Sequence, residues 1–186
     1  KYRKIVVTDD LGQFVLPDLP EASYQVWVRG YGLIDSTAIT AAPGELLNLV
    51  AVDAPNPRAA AEIYPANYWY SLVEVPAASS FPGTGESGNG ISPTMRTQTD
   101  WIYQMKATCN LCHQIGTKAT REIPASLGTF ETSHDAWVRR VQSGQNGANM
   151  VRSMAAFGTQ GYAMFADWTD RISAGEVPPE PPRPEG

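Results

Sequence analysis

The only two cysteines of the chain, Cys109 and Cys112, stand three positions apart, and His113 follows the second directly. With no other thiol available, a disulfide framework is excluded by count. Whatever fold the chain takes must therefore be held by an apolar core. Hydrophobic residues make up 42% of the 186 positions and charged residues 18%. That supplies enough apolar material for such a core and argues against wholesale disorder. A chain of this length is expected to form one large or two small domains.

The formal charge is −5, and 14 lysines and arginines are scattered along the chain. A phosphate-binding surface needs clustered basic residues, so nucleic acid is not the expected partner. No apolar run reaches membrane-spanning length, so no membrane span is expected. The sequence opens on Lys1 without a secretory leader, which reads as a mature product or a fragment.

Fifteen prolines and sixteen glycines fall in clusters that punctuate the chain. Residues 1–53 read as short strands: Arg3–Thr8, Gln13–Leu16, Ser23–Val28 and Glu45–Val52, separated by turn signals at intervals of about ten residues. In Ser23–Val28, Tyr24, Val26 and Val28 point one way and Gln25 and Trp27 the other. This pattern predicts an antiparallel β-sandwich. Residues 54–96 read as a helix over Arg58–Leu72, interrupted near Pro65, and then a Gly/Ser/Pro loop over Pro76–Pro93. Thr97–Asn110 reads as a helix capped by Thr97 or Thr99, with Trp101 and Met105 at helical spacing. A loop with one turn at most follows over Gln114–Thr132. Helices are predicted from Ser133, over Ala148–Phe157 and over Gly161–Ser173, and residues 176–186 form a Pro-rich tail. Tyr64, Tyr68, Trp69 and Tyr70 either dock the sandwich on the helical domain or form a partner surface.

Thr8–Pro20 and Tyr24–Gly30 resemble the carboxypeptidase regulatory-like family, a small transthyretin-like β-sandwich. The resemblance implies that Phe14 and Leu16 face a core. The family's earlier strands should precede Thr8, so the sandwich is expected to be partial, its missing strands supplied by additional domains or subunits. An incomplete sheet would leave an edge open.

Cys109-Asn110-Leu111-Cys112-His113 matches the pattern by which a c-type haem is attached. Two cysteines three apart near a helix end project to the same side, so each sulfur can form a thioether with one vinyl-derived carbon of the porphyrin. The adjoining His113 imidazole then lies beneath the ring as an iron ligand. Two other readings use the same residues. A thioredoxin-like redox pair wants a strand before it, and here a helix precedes. A zinc-stabilised interaction module needs four ligands, and the soft candidates are Cys109, Cys112, His113 and His134.

The segment 97–175 further resembles a class I c-type cytochrome: a helix leads into the motif, a loop follows, and a terminal helix closes the domain. The resemblance implies a cytochrome c haem domain in which the first and last helices cross, with Trp101 and Met105 facing Phe165 and Trp168. It implies a proline after the motif whose backbone accepts a hydrogen bond from the proximal histidine, and Pro124 stands at a suitable distance. Such a bond fixes the tautomer of the ring. Arg121 is either a haem-propionate partner or a solvated surface residue. The family's sixth ligand is a methionine arriving before the last helix. Met150, after the flexible Gly144–Gly147 stretch, is the foremost candidate, ahead of Met154, Met164 and His134. Met95 and Met105 read as packing, as do Trp137, Tyr162 and Trp168 unless they shield the porphyrin.

The expected architecture is thus an N-terminal antiparallel β-sandwich followed by an all-α cytochrome c domain. The expected function is single-electron transfer through one covalent haem c with His113 and Met150 as iron ligands. No catalytic residue is assigned and a redox protein is the partner. The alternative is an open-site haem for peroxide or gas chemistry. Covalent haem attachment takes place outside the cytoplasm, so a periplasmic or otherwise exported location is expected, within a larger redox protein or complex.

Overall fold

A computed structural model describes residues 3–181. The chain divides into two units, the first running to Ile63 and taking in the chain end from Glu180, the second spanning Tyr64–Pro179.

The first unit corrects the expected fold. No β-sandwich forms among the described residues. There are two small antiparallel sheets of two strands each: β1 (Tyr24–Val26) with β3 (Ile39–Ala41), and β2 (Leu33–Ile34) with β4 (Val52–Asp53). Tyr24 stands opposite Ala41 and Val26 opposite Ile39 in the first, and Ile34 opposite Val52 in the second. The alternation read over Ser23–Val28 is present, since Tyr24, Val26 and Val28 are half-buried and Gln25 and Trp27 exposed. Arg3–Thr8 and Gln13–Leu16, expected as strands, carry no ladder, and of Glu45–Val52 only Val52 belongs to one. The reason lies in burial. Ile5 is 92% exposed, Val7 90% and Leu46 103%, so these β-branched and aliphatic runs have no face to cover and no gain from pairing. The turn between the first two runs does close: the Asp9 carboxylate accepts from the Leu11 and Gln13 amides at 3.0 and 2.7 Å. Arg29 and Asp35 form a two-pronged ion pair, both bonds 2.6 Å. Helix α1 (Pro57–Ala61) packs on β2 and is capped by Asn56, whose side chain accepts from the Ala59 amide at 2.9 Å.

The second unit is helical. Its elements are α2 (Ala66–Tyr70), α3 (Gln98–Gln104), a π turn over Met105–Cys109, α4 (Asn110–Cys112), α5 (Lys118–Arg121), α6 (Ser133–Val141), α7 (Gly147–Ala155) and α8 (Thr159–Ser173). Short 3₁₀ turns cover Ala78–Ser80 and Ala125–Leu127. Pro65 ends the helical run expected over Arg58–Leu72, leaving α1 and α2 as separate pieces. The segment expected as loop over Gln114–Thr132 holds both α5 and a 3₁₀ turn. The last five residues of the Pro-rich tail lie outside the described residues.

The core of this unit is aromatic: Trp69, Trp101, Phe157, Phe165 and Trp168 are at most 1% exposed. Helix α8 packs chiefly on α6, where Trp137 stacks on Phe165 with ring centres 4.8 Å apart and donates from Nε1 to Thr169 Oγ1 at 2.9 Å. Trp101 meets Phe157 edge-on at 4.7 Å. The Trp168 indole donates to the Trp69 carbonyl at 3.1 Å, which binds α2 into the helical core. Trp69, 1% exposed, is therefore not an exposed partner surface. No helix among the described residues is long and apolar enough to cross a membrane.

Candidate functional site

The motif lies at the end of one continuous helical run. Its start is set by a capping box: Thr97 Oγ1 accepts from the Asp100 amide at 3.1 Å, and the Asp100 carboxylate accepts from the Thr97 amide at 2.9 Å. Trp101 and Met105, both 0% exposed, anchor the run in the core. Over Met105–Cys109 the helix widens to a π turn, ending where the Asn110 amide donates to the Met105 carbonyl. Such turns insert one residue and recur at functional sites. Thr108 Oγ1 donates back to the Gln104 carbonyl at 2.7 Å, the usual habit of a mid-helix threonine. After α4 the chain leaves the helix at His113, which is extended (φ −130°, ψ 135°).

Both cysteines are free thiols. Cys109 is half-buried, while Cys112 and His113 are exposed, and Leu111 between the thiols is 78% exposed. Residues three apart on a helix are neighbours, so the two sulfurs and the following imidazole share one end of the run. Burial pushes the Cys109 thiol up from its ordinary value. The Tyr70 phenol is also raised, first by burial and then by the charge of Cys109, so Tyr70 of α2 lies within electrostatic reach of the first sulfur.

The loop after the motif is clamped from three sides. Asn110 Oδ1 accepts from the Ile115 amide at 3.0 Å. Gly116, at φ +103°, lies so close to α2 that a Cβ there would stand 1.9 Å from the Ala66 carbonyl oxygen. Arg121 is 3% exposed, which corrects the reading of it as a solvated surface residue. Its guanidinium lies 4.0 Å over the Trp69 ring and donates to the Gly116 carbonyl at 3.1 Å. Arg140 of α6 reaches the same loop, donating to the carbonyls of Thr120 at 3.1 Å and Glu122 at 2.9 Å, and to that of Ala119. Pro124 is exposed and its carbonyl accepts from the Leu127 amide at 2.9 Å, opening the 3₁₀ turn.

Of the candidate sixth ligands, Met150 lies on α7, which packs against the π turn that carries Cys109. Gly147, Met150 and Met154 recur at helical spacing on that element; the outer two are buried and Met150 is half-buried. Met154, 3% exposed, has its methyl against the Gly161 backbone, and Met164 is 4% exposed on α8; both fill core. His134 is exposed, with Asp135 at 3.8 Å and the Tyr162 ring at 5.7 Å.

The donor set fits a covalently held haem: two free thiols at the right spacing, one of them exposed, an exposed imidazole beside them, and a thioether on a neighbouring helix. It does not fit the zinc alternative, because among the described residues no group of three or more His, Cys, Asp or Glu side chains is gathered as a metal cluster requires. Two contributors escaped sequence reasoning. Thr108 carried a usable signal, its place inside a helix beside the first cysteine. Tyr70 carried none, since only the packing of α2 brings it to the motif. Comparison with protein-family models, curated proteins and solved structures returns no match for this chain.

Proposed function

We propose that this chain is a mono-haem electron-transfer module, with haem c joined through thioethers to Cys109 and Cys112 and ligated by His113. The observation that carries the reading is the motif itself, its thiols free and Cys112 and His113 exposed, at a helix end that buried Trp101 and Met105 hold in place. When bound, the haem supplies a one-electron couple between ferrous and ferric iron. The chain's own residues do the rest. The thiols would hold the group without a deep pocket, and His113 would supply an imidazole ligand to its iron. The loop clamped by Arg121, Arg140 and Gly116 limits how far that imidazole can wander.

Met150 is the sixth ligand in this reading, supported by its half-buried place on the element that packs against the π turn. Iron ligated on both sides has no open position for substrate, so the module carries electrons and performs no catalysis of its own. Thioether ligation raises the reduction potential relative to a second histidine. The net charge of −5 favours a redox partner with a basic docking patch. Covalent attachment assigns the chain to the periplasm or another exported space, within a larger redox assembly.

The test is expression in a host with haem-attachment machinery, followed by intact mass and haem staining of a denaturing gel. A mass increase of one haem is expected. The bare polypeptide mass under those conditions overturns the proposal.

A further inference from the structure

The segment Arg3–Thr8 of the first unit has the residues of a strand and belongs to no ladder. Val6 is half-buried, while Ile5 and Val7 on either side of it are almost fully exposed, the alternation of a strand with one covered face. The segment is tied at both ends. The Asp9 amide donates to the Gln13 carbonyl at 2.9 Å, and the Lys4 ammonium donates to the Pro17 carbonyl. Those contacts lay Arg3–Thr8 alongside Gln13–Pro17. Yet among the described residues no backbone N–H or C=O of Arg3–Thr8 is hydrogen-bonded. A row of such groups is a template for another strand. Within one chain these residues gain nothing by pairing; a second copy changes that.

The exposed row reads Arg3, Ile5, Val7, Asp9: a cation at one end, two β-branched residues, an anion at the other. Turned end for end, that row is complementary to itself. We infer that Arg3–Asp9 is a dimerisation strand whose partner is the same segment of a second copy, paired antiparallel about a twofold axis at Val6. Arg3 then lies opposite Asp9 of the other copy at both ends of the ribbon, and Ile5 opposite Val7. The Leu11 and Gln13 amides both donate to Asp9 Oδ1, which leaves Oδ2 for the guanidinium. The same pattern fixes the register. A slip of one residue sets the exposed row of one copy against the inner row of the other. A slip of two puts Ile5 opposite Asp9, or Arg3 opposite Val7. What forms is a two-stranded ribbon between copies, with no sandwich in either. It covers less than about 1,000 Å², so the pairing is weak and concentration-dependent.

Sedimentation velocity of the 186-residue chain between about 5 μM and about 500 μM tests the pairing. A shift from monomer to dimer is expected over that range, and raised salt should weaken it because the end pairs are exposed. A monomer throughout overturns the inference and leaves the strip to a different chain. Ile5→Lys sets a charge in the middle of the exposed row. Since Ile5 is almost fully exposed in the single chain, thermal unfolding of dilute protein is expected to stay unchanged while the dissociation constant rises about tenfold or more. Undiminished association in Ile5→Lys puts the contact elsewhere on the molecule and overturns the inference. Arg3→Glu brings like charges together at both ends and is expected to weaken pairing about tenfold. Adding Asp9→Asn, which keeps the turn acceptor and removes the charge, is expected to recover part of that loss; no recovery overturns the register.

Discussion

Replacing Gly116 with alanine tests whether the loop after the motif is held against α2 by backbone contact. Two costs are expected there. At φ +103° an L-residue is strained, by about 1–2 kcal/mol. In addition the new Cβ would stand 1.9 Å from the Ala66 carbonyl oxygen and 2.9 Å from the Tyr70 amide nitrogen, so backbone must shift on one side. Overpacking of this kind costs about 1–3 kcal/mol. Gly175→Ala provides the control: it has a similar φ of +112° and nothing within 4 Å of its Cβ, so it incurs the first cost alone. Both positions lie in the Tyr64–Pro179 unit, which also holds four of the five tryptophans. Urea unfolding followed by tryptophan fluorescence therefore reports on the right unit. With a slope of about 2 kcal/mol per molar urea, Gly116→Ala should unfold about 0.5–1.5 M below Gly175→Ala. Coincident midpoints would refute the close approach of the motif loop to α2, and with it the clamp inferred for His113.

Three further outcomes are expected. Trp137→Phe leaves Thr169 Oγ1 buried without its 2.9 Å donor and should destabilise the helical unit by about 1–3 kcal/mol; adding Thr169→Val should recover part of that loss in a double-mutant cycle. The Asp35 carboxyl is held below its ordinary value by the hydrogen bond from Arg29. Its contribution is therefore present above the unfolded carboxyl pKa, near 4, and disappears as pH falls through the lowered folded value. Because the pair is largely exposed, Asp35→Asn should cost at most about 1 kcal/mol at pH 7 and nothing at low pH, measured by unfolding at both. Met150→Ala in the haem-loaded chain should abolish the long-wavelength absorption band of sulfur-ligated ferric haem and lower the reduction potential, whereas Met164→Leu should leave both in place; an unchanged spectrum in Met150→Ala would remove Met150 as a ligand.

Elements with local causes were legible in the amino-acid order. The Thr97–Asp100 capping box, the helical run into Cys109 and the Asp9 turn each depend on groups a few residues apart, and each is present. That the expected sandwich would not form was not legible, because a strand exists only where another chain segment meets it. Val7 and Ile5 have the composition of strand residues and still remain exposed, as nothing packs on them. Arg121 shows the same limit at the site. An arginine at a loop's edge reads as solvated until a tryptophan from a distant helix is brought beneath it.

The pattern on which the haem proposal rests, Cys109 and Cys112 three apart with His113 adjoining, is read from sequence alone, since residue spacing is a covalent fact that no packing alters. Which thiol is half-buried and which methionine stays half-exposed depend on contacts such as that between the π turn and α7. Those contacts join residues far apart in the chain, and burial is a property of the assembled neighbours rather than of the residue. Only the tertiary structure could decide them.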